Sequence, residues 1–395
     1  MRPITTALLV AGLGSLAAAG DGSPPDKRAL KKIVPAYLEA DAAGRAAMRA
    51  EFDRDLRPLY DREVKTLRVE LLKLARREGK RLSGSGRNFW YDEKEKLGKY
   101  IVEGKPSKTL WIGLHGGGLG SGDAGSMAAG MGGGGWWWIF PEVLKKTERG
   151  WTDSGTEEFV LELVEAAKRT GKVDPNRVYV SGHSMGGYGT WTFLAHHPDV
   201  FAGGAAYAGA PTMYYKQPGA EETFENIDAV VDGILPNLFN SRLFVFQSTD
   251  DKNVPPGPNQ FAAKSLGEWR QAHPDGFDFR YEEVDDRGHA APKEGYLPSQ
   301  KWVAEHERVA RPRKLIWQPV LPWKRQFHWL RWEEPTLHTT IRVEAKEGNR
   351  VEITSERGEP DLSTLSLLLG EPIVDLDEEV VVVVDGEETF RGKVD

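Results

Sequence analysis

One serine in this chain has the surroundings of a nucleophile. Ser184 lies in the stretch Tyr179 to Tyr188, YVSGHSMGGY, between Gly182 and Gly186. The run Arg177-Val178-Tyr179-Val180 ahead of it reads as a short buried strand, and a helix can start just after it. A residue placed on so sharp a strand-to-helix turn takes strained backbone angles, so the positions two before and two after must be small. Gly182 and Gly186 meet that demand. The Met185 amide then sits at a helix N-terminus, facing the negative charge that develops on a substrate oxygen during acyl transfer. A bare G-x-S-x-G is a weak signal, because glycine and serine are common in loops. Its weight comes from what lies on either side.

A serine needs a base, and the base needs an orienting acid. The strand Arg242 to Gln247 runs into Ser248-Thr249-Asp250-Asp251-Lys252-Asn253-Val254-Pro255. Either Asp250 or Asp251 stands just past that strand end; the D-x-x-V-P spacing favours Asp251 and leaves Asp250 solvated or turn-stabilising. A further strand, Phe277 to Tyr281, leads to Asp285-Asp286-Arg287-Gly288-His289-Ala290-Ala291-Pro292. His289 thus occupies a small-residue loop after the last strand expected in this region, where an imidazole can reach across to a serine. The order is Ser184, Asp251, His289, and each follows a strand.

The elements that must hold these residues are also legible. Thr109 to Leu114 reads as a strand entering His115-Gly116-Gly117-Gly118. A phosphate-binding loop is excluded there, since the Lys-Ser/Thr ending is missing and no helix follows at once. Phe159, Val160, Leu163, Val164 and Ala167 recur at helical spacing over 157–170, and Gly171 ends that helix. His196 and His197 fall at the end of the helix after Ser184, where cations suit its dipole, and take no catalytic role. The glycine-rich stretch up to Gly135 precedes Trp136-Trp137-Trp138. Trp136 and Trp137, with His183, are candidate substrate-lining residues; capping of the sheet by the indoles is the equal alternative.

Four motifs in sequence, HGGG, GHSMGG, DDKNVP and RGHAAP, make the chain resemble the α/β-hydrolase superfamily over roughly Asn88 to Val309. Within it the chain is similar to secreted esterases of the polyhydroxybutyrate-depolymerase and feruloyl-esterase-like group, and to the catalytic domain of prolyl-oligopeptidase-type peptidases. The resemblance implies an α/β fold with a mostly parallel central sheet. It implies Ser184 as nucleophile, His289 as general base, Asp251 as orienting acid, and oxyanion donors from Met185 and from Gly116 and Gly117. The expected reaction is ester hydrolysis through an acyl-enzyme. Peptidase activity is the alternative, with no room expected for the N-terminal propeller of such peptidases; a non-catalytic binding protein of the same fold ranks last.

The 395 residues contain no cysteine, which excludes disulfides, thiolate metal sites and a cysteine nucleophile together. With a net charge of −7 and basic residues scattered through the chain, no nucleic-acid partner is expected. No metal or organic cofactor is expected, since no His/Asp cluster has ligand spacing. Residues 1–19, MRPITTALLVAGLGSLAAA, read as a secretory signal peptide, so a secreted or periplasmic location follows, and no later segment approaches membrane-spanning length. The expected organisation continues with a helical N-terminal segment over 20–84 and the catalytic domain over 85–311. A Trp-rich linker over 312–337 and a small β-sandwich-like domain over 338–395 complete it. The five valines 380–384 are expected to be buried on both faces, and the domain to brace the enzyme. The partner expected is a small or polymeric ester.

Overall fold

The computed structural model describes residues 79–394, except 93–94, 118–121, 146–149, 212–213, 216–227 and 230–234, together with isolated positions between 32 and 73. The expected signal peptide and most of the helical segment 20–84 lie outside the described residues.

Seven strands form the central sheet: β1 (Tyr100–Glu103), β2 (Leu110–Leu114), β3 (Trp137–Pro141), β4 (Val178–His183), β5 (Gly203–Tyr207), β6 (Arg242–Ser248) and β7 (Asp278–Val284). Their order is β7-β6-β5-β4-β2-β3-β1. Every neighbouring pair is parallel except β1 with β3. Every residue of β2, β3 and β5 is buried. Such unbroken apolar runs suit parallel strands covered on both faces. One face packs against helices α2 (Thr156–Thr170), α3 (Met185–His196) and α4 (Gly257–Ala272), through residues such as Phe159, Leu163, Leu194 and Leu266. The other face packs against α1 (Ala124–Met131) and α5 (Leu297–Ala304), through Met127, Met131 and Val303.

The parallel register gathers the carboxyl ends of the strands along one edge. Leu114 stands opposite Gly182, His183 opposite Tyr207, and Ser248 opposite Val284. In open α/β sheets that edge is where ligands bind, because the loops leaving it converge there.

The expectation for the consecutive tryptophans is corrected. Trp137 and Trp138 belong to β3, and strand alternation sends their indoles to opposite faces, into two different cores. Trp138 and Trp136 pack on Trp111, which also stacks on Tyr179 at 5.0 Å. Trp137 is in register with Leu110, and Leu110 with Val178. That places Trp136 and Trp137 at the amino end of the sheet, roughly 20 Å of strand away from Ser184. They hold the sheet and do not line a cleft at its carboxyl edge.

His196 and His197 do stand at the end of α3. Both are buried, at 5% and 1% exposure. His196 Nδ1 lies 3.0 Å from the Glu157 carboxylate of α2, and His197 Nε2 lies 2.8 Å from it. Lys324 Nζ, 2.7 Å from Asp199, approaches His197 Nδ1 at 3.4 Å, so that nitrogen accepts and Nε2 carries the proton given to Glu157. Both imidazoles are thereby placed to donate to the same carboxylate. Burial alone would raise the Glu157 carboxyl, but His196 beside it and the hydrogen bonds of both histidines outweigh it and hold it well below the usual carboxylate range. Burial, then the Lys324 charge, pushes His197 down.

The stretch 312–337 is not a linker. Lys314–Trp317 forms β8, Gln326–Phe327 β9 and Leu330–Trp332 β10; β11 (Thr340–Lys346), β12 (Arg350–Arg357), β13 (Leu365–Leu367), β14 (Val380–Val384) and β15 (Glu387–Gly392) follow. They build two sheets, β8-β11-β12-β14-β15 and β9-β10-β13. Trp317, Trp329 and Trp332 fill the core shared with Ile341, Val343, Val351 and Val380. Tryptophans among Pro and Arg gave the look of a connection, yet they are the core of this β region. Of the five valines, Val380, Val381 and Val383 are buried, while Val382 and Val384 are only half-buried.

Candidate active site

Ser184 occupies the turn between β4 and α3 with φ 60° and ψ −122°, a conformation that an L-residue holds only when its surroundings enforce it. The enforcement is visible. Its N–H donates to the Tyr207 carbonyl at 2.9 Å, and its carbonyl accepts from the Tyr188 amide at 3.1 Å. A Cβ at Gly182 would stand 2.2 Å from the Gly186 carbonyl oxygen, and one at Gly186 would stand 2.0 Å from that of Leu114. Glycine is therefore required on both sides of the serine. Met185 opens α3, so its N–H is among the first-turn amides that have no carbonyl to bond within the helix.

Around this elbow the loops deliver the residues that the sequence singled out. His289 Nε2 lies 2.8 Å from Ser184 Oγ, and His289 Nδ1 lies 2.8 Å from Asp251 Oδ2. The Asp251 side chain is wholly buried, and its Oδ1 accepts the amides of Asn253 and Val254 at 2.8 and 2.9 Å. A carboxylate so held has one oxygen left, and that oxygen meets the imidazole. Ser184 and His289 are half-buried and reachable from outside.

Asp250 is neither idle nor a triad member. Its Oδ1 accepts the Gly288 amide at 2.7 Å and the Ser248 hydroxyl, which tie the histidine loop to the end of β6. Those hydrogen bonds, Ser248 first, hold its carboxyl below the usual range. Ser248 Oγ in turn accepts the Arg287 amide at 3.1 Å.

On the opposite side, Gly116 abuts Ser184: a Cβ there would be 3.2 Å from Ser184 Cβ. His115 is buried at 2% exposure. Its Nε2 accepts the Val143 amide at 3.2 Å, so its Nδ1 carries a proton and donates to the Gly116 carbonyl at 2.8 Å. In a planar trans peptide the N–H lies opposite the carbonyl, which turns the Gly117 amide away from His115. Gly118 lies outside the described residues. The structural part of His115 escaped the sequence reading, because its bond to Val143 spans a stretch that was read as loop.

His183, expected to line the substrate, is half-buried, with both ring nitrogens engaged. Its Nε2 is 3.1 Å from the His289 carbonyl oxygen, and its Nδ1 is 3.3 Å from the Tyr296 hydroxyl. Of the three substrate-lining candidates, Trp136 and Trp137 are displaced to the far end of the sheet, whereas His183 stays beside His289, its ring 5.2 Å from that of the base candidate.

A family model described as the prolyl oligopeptidase family matches residues 144–306, a span that takes in the elbow, Asp251 and His289. The chain has the α/β-hydrolase fold. It is 44% identical over 52 residues to poly(3-hydroxyalkanoate) depolymerase C of Paucimonas lemoignei, and that match spans 13% of each chain. Solved structures are more distant. A thermostable esterase is 18% identical, with 57% of this chain and 63% of that one covered at a TM-score of 0.40. A phospholipase/carboxylesterase from Dyadobacter fermentans is 15% identical, with 54% and 94% covered at 0.35. Ser184, His289 and Asp251 form one hydrogen-bonded line, the arrangement that serine hydrolysis needs. No described helix is long and apolar enough to cross a membrane.

Proposed function

We propose that this chain is a secreted enzyme that cleaves carboxylic esters through an acyl-enzyme on Ser184. The observation that carries the reading is the unbroken line of hydrogen bonds from Ser184 Oγ through His289 to Asp251. His289 Nε2 takes the hydroxyl proton as Oγ bonds to the ester carbonyl carbon, and the amides of Met185 and of the Gly116–Gly117 segment receive the oxyanion. The C–O bond to the alcohol then breaks, and the proton on His289 passes to the departing oxygen. Water attacks next: its proton goes to His289, the bond to Oγ breaks, Ser184 recovers a proton, and the acid leaves. Asp251 keeps the imidazole in the required tautomer and stabilises its cationic form. None of these steps draws on a bound cofactor.

The short likeness to a poly(3-hydroxyalkanoate) depolymerase supports an ester substrate, polymeric esters included. The match to the prolyl oligopeptidase family favours a second reading, a serine peptidase. Both use the same residues, so the substrate separates them. Acetyl, hydroxyacyl and cinnamoyl esters are compared with peptide anilides, for the wild type and for Ser184→Ala. Turnover of one or more esters, with the anilides inert and the variant dead, is the expected result. Turnover of anilides alone would replace the ester reading with the peptidase one, and a variant as active as the wild type would sink both.

A further inference from the structure

We infer that His183, the residue just before the nucleophile, is a positioning residue that holds the main chain of the catalytic base, with Tyr296 setting its tautomer. The inference rests on the serine-hydrolase reading above and adds a residue to it. A general base must present one nitrogen to the nucleophile within a few tenths of an ångström, and a side-chain bond to Asp251 fixes the ring but not the loop beneath it. The loop carrying His289 is built from Gly288, at φ +53°, and two alanines, which supply almost no packing of their own.

Two tethers bracket His289. Ahead of it, the Gly288 amide is held by Asp250. Behind it, the His289 carbonyl accepts the Nε2 proton of His183 at 3.1 Å. Because Nε2 donates, Nδ1 of a neutral His183 must accept, and the Tyr296 hydroxyl is in place to donate to it at 3.3 Å. Tyr296 is itself anchored: Tyr207, at the end of β5, donates its hydroxyl to the Tyr296 carbonyl at 3.1 Å, and the two rings meet edge to face at 4.7 Å. Burial, then the charge of His289, pushes His183 below its usual value, which keeps it in the neutral form this pattern needs. His183 ends the same strand that turns into Ser184. One rigid element therefore fixes both partners of the proton transfer, the nucleophile through its elbow and the base through this carbonyl.

The test compares the wild type with His183→Ala, His183→Asn, His183→Gln and Tyr296→Phe in hydrolysis of p-nitrophenyl butyrate, with thermal melting of each. A glutamine amide reaches the position of Nε2 and can donate to the carbonyl, whereas asparagine and alanine cannot. The expected result is that Ala and Asn lower kcat by about tenfold or more while KM changes less than about twofold. Gln recovers most of kcat, and Tyr296→Phe falls between. Should the alanine variant not fold, Gln against Asn is the deciding pair. Variants of His183 with unchanged kcat, or a glutamine variant no better than asparagine, would overturn the inference while leaving the hydrolase reading intact. A wild type that is inert to esters, to peptide anilides and to fluorophosphonate would overturn both.

Discussion

Asp251 accepts two backbone amides through one oxygen and the His289 Nδ1 proton through the other, so both of its oxygens have donors. Asp251→Asn keeps the shape but presents either an amide N–H, which forces the imidazole proton onto Nε2, or a carbonyl, which leaves the two loop amides facing another donor. With the proton on Nε2 the ring cannot take one from Ser184. The expected fall in kcat is about 10³- to 10⁴-fold with folding retained. Steady-state kinetics beside a melting curve checks this; a variant within tenfold of the wild type would mean that Asp251 does not orient the base. Its neighbour Asp250 illustrates a different use of the same side chain. Exposed at the loop edge, it ties backbone to backbone, and the sequence placed the two in the right order without revealing the bond to Gly288.

At the level of elements, β2, β4, β5 and β6 were readable because each is a continuous apolar run bounded by turn residues, and the elbow was readable because its small residues flank Ser184 at fixed spacing, Gly182 against Gly186 and Gly186 against the Leu114 carbonyl of β2. The misread segments obey longer-range rules. The tract from Gly116 to Gly135 looked like one loop, yet α1 forms within it, capped by the Asp123 side chain on the amides of Gly125 and Ser126. β3 begins at Trp137, where pairing with β1 and β2 overrides the glycines before it. α4 opens on Gly257 and Pro258 and carries Gly267, so it shows little helical pattern. β9 and β10 are two and three residues long, and β10 pairs with β13, whose Leu367 stands opposite Leu330. Such short strands exist only through that distant partner. The place of Trp137 yields its own expectation. Trp137→Ala should cost about 3–5 kcal/mol in urea unfolding, as for other buried aromatic truncations, while KM for an ester stays that of the wild type. A raised KM with unchanged stability would return Trp137 to the substrate cleft.

Across the whole molecule, buried histidines couple stability to pH. Burial is the first cause that pushes His183, His197, His306 and His328 below their usual 6.5, His328 to about 4. When the chain unfolds, these imidazoles take up protons near 6.5 that the folded protein refuses until lower pH. The unfolded state therefore binds more protons as pH falls below 6.5, and stability falls with it. Glu157 and Asp199, despite the opposing effect of burial, are held below ordinary carboxylates by His196 and by Lys324 respectively; their contribution is complete above about 4.5 and is lost further down. Melting temperature should accordingly decline from pH 7 to pH 5 and more steeply below pH 4.5; a flat or rising profile over pH 7 to 5 would contradict the burial of these rings. His197, Lys324 and Asp199 meet where the β region packs on the sheet domain, so that contact shares in the loss. The central claim, that Ser184 is the activated nucleophile, is tested most directly by treating the protein with a fluorophosphonate and mapping the adduct by mass spectrometry. The account predicts one modified peptide, carrying the label on Ser184, with labelling abolished in Ser184→Ala and strongly slowed in His289→Ala. No adduct on a folded protein, or an adduct on another residue with Ser184 untouched, would contradict it.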